Sequence, residues 1–196
     1  MNTHFRQPET TQAAEGLPRR AWTVAEIEAM VKAGIIEEDE RFELIDGEVV
    51  PMSPKGNRHE LMKGALNYFW ALNLPRSVRM IPETTFRLDG KSFLEPDFVF
   101  FETASGLNKL SPATALLAVE LADSSLRYDT GRKAGVYAKH GVRELWVIDV
   151  ESLRTHVFSK PSEDGYLERR LIEPTDVLAL SFVPEVSVKL AELPLI

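Results

Sequence analysis

The sequence predicts a mixed α/β (α+β) fold: a mixed β-sheet flanked by helices, with an N-terminal helix and β-hairpin before it and added C-terminal strands after it. Three observations carry this. The chain runs helix, three strands, helix, strand through its middle, an order that suits a mixed core rather than a doubly wound sheet. The segment ALLAVEL at 115–121 is apolar on both faces, as a central strand is. Asp46-Gly47 separates two alternating apolar segments, a strong local signal for a hairpin.

The elements follow in order. Residues 1–20 are polar, carry Pro8 and Pro18 and show no period, so they are expected to form a mobile tail; residues 21–196 are expected to form a single domain. Thr23 with Glu26 makes a capping box at the start of a short amphipathic helix that ends at Gly34. The hairpin comes next, in FELIDGEVVPM. From Asn57 to Leu74, apolar residues recur at helical spacing and Pro75 stops the helix. SVRMIPETTFRL and SFLEPDFVFF read as neighbouring strands across the turn Asp89-Gly90, and Thr130 to Lys139 reads as a helix closed by His140-Gly141. ELWVIDV is a buried strand with Asp149 capping its end. RTHVFSK, GYLERRLI and the Val186 to Leu190 segment extend or flank the core. Trp70, Trp146 and the pair Phe100 and Phe101 belong to that core.

Composition narrows the function. The chain has 196 residues, 44% of them hydrophobic, and no cysteine, which excludes disulfides, thiolate metal sites and a Cys nucleophile. Any metal is then a hard cation held by oxygen or histidine. No apolar run reaches a membrane span and the N-terminus has no secretory core, so a cytoplasmic protein is expected. A net charge of −7 argues against a general nucleic-acid coat, yet leaves room for the local basic strip Arg127, Arg132, Lys133, Lys139 and Arg143.

Two acids interrupt strand-like apolar text. Asp97 follows Pro96 at the head of FVFF, where a proline marks a strand start or bulge; it reads either as a turn residue or as a re-aimed site residue. Glu120 sits inside AVEL, where a carboxylate must meet a metal, an Arg or a Lys. Two carboxylates on adjacent strand ends can hold Mg²⁺ while leaving positions for water and phosphate. A nearby lysine would stabilise charge or orient the attacking water, with its pKa lowered by the metal.

Pro96-Asp97, Glu120 and a downstream lysine resemble the PD-(D/E)XK nuclease superfamily. FELIDGEVVPMSP, a histidine at the next helix start, EPDFVFF, VELADSS, RKAGVYAKHGV and ELWVIDV, in that order from about Phe42 to Leu190, resemble the Uma2 family of restriction endonucleases. The resemblance implies a restriction-endonuclease-like core and Mg²⁺-dependent cleavage of DNA, with Mn²⁺ as a substitute cation. Asp97 and Glu120 would be metal ligands. The superfamily's lysine position, two residues after the glutamate, is Ala122 here, and the resemblance points instead to Lys133 on the next helix. Glu43 and His59 match polar family positions; on their own they read equally as a half-exposed strand acid and a helix cap. Glu83 is a candidate further acid, and Tyr137, one turn beyond Lys133, reads as a packing residue. By analogy with enzymes that cut both strands, a homodimer is expected. The alternatives are a catalytically inactive nuclease-fold binding module, or a nuclease acting on RNA or branched DNA.

Overall fold

A computed structural model describes residues 20–195. The expected tail, residues 1–20, lies outside the described residues except for Arg20. Helix α1 (Val24–Lys32) begins with the capping box: Thr23 accepts from the Glu26 N–H, and the Glu26 carboxylate accepts from the Thr23 N–H at 2.9 Å. The hairpin β1 (Phe42–Ile45) and β2 (Glu48–Pro51) turns at Asp46 and Gly47, both with positive φ, as a tight twisted hairpin requires. Helix α2 (Asn57–Asn73) stops just before Pro75.

The two strand runs that follow are each split between two sheets. β3 (Val78–Pro82) and β6 (Phe98–Glu102) pair antiparallel in the main sheet, whereas β4 (Phe86–Arg87) and β5 (Phe93–Leu94) form a ribbon joined to β1. Glu83, in the left-handed region at φ 47°, makes the corner between them. The main sheet runs β10-β9-β8-β7-β6-β3. Its centre is β7 (Ala115–Ala122), parallel to β8 (Glu144–Asp149), with all other pairings antiparallel; β9 (Thr155–Ser162) and β10 (Gly165–Ile172) extend one edge. β11 (Leu178–Leu180) and β12 (Val183–Val188) form a separate ribbon.

The parallel pair β7 and β8 needs a crossover, and a continuous helical stretch supplies it. That stretch comprises α3 (Leu126–Tyr128), a π-helical turn (Asp129–Lys133) and α4 (Ala134–Lys139), so it starts earlier than the sequence pattern predicts. Gly141, at φ 79°, closes it.

Strand alternation distributes β7 between two cores. Leu117, Val119 and Leu121 join Met62, Leu66 and Trp70 of α2, with Phe98, Phe100 and Trp146. Ala118 and Ala122 face the other way, toward Ala134, Val136 and Tyr137 of α4, with Val99 and Val147. Glu120 lies between these two alanines on the α4 side. Their small side chains leave the room that a glutamate and its partners need.

Candidate active site

Register explains why the two acids meet. In the β6–β7 ladder Phe98 stands opposite Val119, and Val99 opposite Ala118. Continuing one residue places Asp97 opposite Glu120, on the face that Val99 shares with Ala118. Opposed residues in an antiparallel pair carry their Cβ atoms about 4.5–5.5 Å apart. Both acids are buried, and both line a cavity of about 360 Å³.

Asp97 is held from three sides. Its Oδ2 accepts from the Leu121 N–H at 2.8 Å, while Lys55 Nζ lies 2.8 Å and His59 Nε2 3.0 Å from Oδ1. Burial alone would raise its pKa, but His59 and Lys55 outweigh burial and bring the carboxyl down to about 2. It is ionised across the physiological range. His59 is thus a buried side chain on Asp97, not an exposed helix cap; the α2 N-cap is Gly56.

Glu120 has different partners. Its Oε1 accepts from Tyr137 Oη at 2.5 Å and lies 2.9 Å from Lys133 Nζ. Lys133 Nζ also reaches Glu43 Oε1 at 2.7 Å, and the same Glu43 oxygen accepts from the Glu95 N–H at 3.2 Å. Glu43 is buried, contrary to its reading as a half-exposed strand acid. Burial pushes Glu120 well above the usual carboxylate range; Lys133 opposes that rise, and Asp129, Asp97 and Glu43 add to it. Burial would lower Lys133, yet Glu120, Glu43 and Asp129 hold its ammonium well above the ordinary lysine value. The π-helical turn contains both Lys133 and Asp129, and such turns are frequent at functional sites.

The structure brings Asp97, Glu120, Lys133, Glu43 and His59 to one cavity. Glu83 is not part of its wall. Its carboxylate sits 2.6 Å from Lys55 Nζ and 3.1 Å from Lys63 Nζ, so this corner residue gathers two lysines. Together these lower its pKa to about 2 against the opposing effect of burial. Lys55, Asp129 and the hydroxyl of Tyr137 were not legible as site groups. A lysine between Pro54 and Gly56, just ahead of a helix, is the one sequence signal that Lys55 offers.

Residues 24–192 match the model of the Uma2 family, whose description reads "Putative restriction endonuclease". The chain belongs to the Uma2 family. The match covers every residue that lines the site. Among solved structures, the Uma2 chain is similar to a crystal structure from Anabaena variabilis, described as a "putative nuclease belonging to DUF820". The TM-score is 0.62 at 18% identity, covering 82% of this chain and 93% of that one, which shows a shared fold. No curated protein matches. Among the described residues, no helix of this Uma2 chain is long and apolar enough to cross a membrane.

Proposed function

We propose that this chain is a Mg²⁺-dependent endonuclease that hydrolyses DNA phosphodiester bonds. The observation that carries the reading is the facing of Asp97 and Glu120 across β6 and β7, at the wall of one cavity, with Lys133 Nζ 2.9 Å from Glu120. A lysine displaced from position 122 gave the best argument for an inactive module. The helical crossover supports the active reading, because it brings Lys133 Nζ, from the next element, to 2.9 Å from the glutamate.

The donor chemistry fits a hard cation. Asp97 is an ionised carboxylate, and among the described residues no hydrogen bond reaches Glu120 Oε2. Burial raises the proton affinity of Glu120, an effect that a neighbouring cation reverses. Among the described residues no three His, Asp or Glu form a ready-made cage. Mg²⁺ needs none, since one or two carboxylates suffice and water and phosphate complete its shell. Asp97 and Glu120 would hold it, and it would activate water and neutralise phosphoryl charge.

The protein's own groups have distinct tasks. Asp97 is kept ionised and oriented by His59 and the Leu121 N–H. Glu43 and Glu120 hold the Lys133 ammonium at the cavity wall, where it stabilises charge developing on the phosphoryl oxygens. Duplex DNA as substrate implies a homodimer with one site per strand, which sedimentation would detect. The decisive assay is cleavage of supercoiled plasmid with Mg²⁺ or Mn²⁺. Wild type nicks or linearises it, and Asp97→Ala and Glu120→Ala do not; equal cleavage by all three proteins would mean a contaminant.

A further inference from the structure

The cation that touches Asp97 comes from outside every motif. Lys55 belongs to the connection between β2 and α2, and its Nζ stands between two acids, 2.8 Å from Asp97 Oδ1 and 2.6 Å from Glu83 Oε1. Three features distinguish it from an ordinary structural ion pair. First, it sits on the oxygen of a carboxylate that the nuclease reading assigns to a divalent cation. An ammonium and a divalent cation cannot both keep contact with that oxygen, because like charges at such distances repel strongly in a buried site.

Second, Lys55 has somewhere to stay when it leaves Asp97. Glu83 is fixed by its left-handed backbone at φ 47° and by its N–H donating to the Asp97 carbonyl at 3.1 Å. Lys63 and Arg41 also approach the Glu83 carboxylate, at 3.1 and 3.6 Å, so Glu83 does not depend on Lys55 for its charge balance. Third, the cavity wall is rich in carboxylates and has Lys55 and Lys133 as its lysines. Lys133 is enclosed by Glu43 and Glu120 with its side chain 5% exposed; Lys55 is 12% exposed, on a loop that contains Pro54 and Gly56. A flexible four-carbon stem with a compact charge is suited to changing partners.

We propose that Lys55 is a phosphate clamp for the substrate strand, resting on Asp97 until a divalent cation takes that carboxylate and then turning, still tethered beside Glu83, to a backbone phosphate. The proposal rests on the nuclease reading above. It deepens that reading by assigning a residue that exchanges one anionic partner for another.

The test measures two affinities in the full chain. Mn²⁺ binding is followed by calorimetry and by the spin-resonance signal of free Mn²⁺; duplex DNA binding is followed by fluorescence anisotropy in Ca²⁺. For Lys55→Met, with Lys55→Gln as a second variant, Mn²⁺ binds about tenfold tighter, because its competitor is gone, while DNA binds about tenfold more weakly. A purely structural lysine would move both affinities in the same direction. Unchanged or weaker Mn²⁺ binding overturns the proposal, and so does tighter Mn²⁺ binding with unchanged DNA affinity. If neither wild type nor variant binds Mn²⁺, the nuclease reading itself falls, and the clamp with it.

Discussion

Tyr137 donates its hydroxyl hydrogen to Glu120 Oε1 across 2.5 Å, on the oxygen that Lys133 Nζ meets at 2.9 Å. Lys133 and Tyr137 are four residues apart, one helical turn, so a single face of the crossover serves one carboxylate from two levels. Ring packing contributes as well, since Tyr137 is fully buried and stacks with Phe86 at 6.4 Å between centroids. Tyr137→Phe keeps that packing and removes one hydrogen bond to a buried acid. Urea unfolding should show a loss of about 1–2 kcal/mol. An unchanged midpoint would mean that the hydroxyl does not hold Glu120.

Lys133 is the cation between Glu43 and Glu120. Removing one partner from a buried ionic cluster leaves uncompensated charge, at a cost of about 3–5 kcal/mol. Lys133→Met should therefore lower the unfolding free energy by that order at pH 7 and abolish metal-dependent cleavage. Restoring the thermal midpoint with a second change, Glu43→Gln, while cleavage stays absent, would separate the structural role from the chemical one.

Much of this arrangement is legible in the sequence, and the gaps have two causes. The Asp46-Gly47 hairpin, the capping box at Thr23 and the long helix stopped by Pro75 are each set by neighbours in sequence, through turn conformation, caps and the missing proline N–H. The carboxylate pair was legible because a buried acid in AVEL demands a partner. Lys55 on Asp97 and Tyr137 on Glu120 join residues 42 and 17 positions apart, and they arise only when α2 and the crossover pack over the sheet. The division of SVRMIPETTFRL into β3 and β4 was hidden for another reason. Glu83 adopts a positive φ that a non-glycine residue enters at a cost of about 1–3 kcal/mol, and no local preference announces it.

Gly47 tests the close contact between the hairpin and the start of the chain's described part. Its φ is 85°, and a Cβ built there would lie 2.7 Å from Ala21 Cβ, 2.8 Å from Ala21 Cα and 2.8 Å from Trp22 N. The Trp22 N–H donates to the Gly47 carbonyl at 2.9 Å, so backbone as well as side chain must move. Gly47→Ala should destabilise by about 2–3 kcal/mol, read as a lower midpoint in urea at unchanged slope. Gly34→Ala, at φ 67° with open space around it, should cost less.

Asp149 caps the end of β8 by accepting from the Glu151 N–H at 3.0 Å and from Ser152 Oγ at 2.5 Å. Burial would raise its pKa, but the Ser152 hydroxyl and the backbone N–H groups lower it below the model-peptide value of 3.8. A depressed folded pKa means that the unfolded chain binds the proton more readily. The contribution to stability is complete above about pH 3.8 and is lost as pH falls through the folded value. Asp149→Asn should therefore flatten the acid limb of the stability profile while changing little of its shape near neutrality. Parallel acid limbs for the two proteins would refute this.

Thr155 isolates the cost of an orphaned hydroxyl. It is buried in β9, between Ile148 of β8 and Ile172 of β10, and among the described residues no protein group hydrogen-bonds its Oγ1. A buried polar group without a partner carries a desolvation cost of about 1–3 kcal/mol, whereas a methyl in its place carries none. Valine has nearly the same shape and keeps the branched Cβ that a strand favours. Thr155→Val should stabilise the protein by about 1 kcal/mol, a rise of about 2–4 °C in Tm for a chain of this size. Thr155→Ser keeps the hydroxyl and removes the methyl, so it should lower Tm. Stability falling in both variants would mean that the Thr155 hydroxyl has a hydrogen-bonding partner in solution.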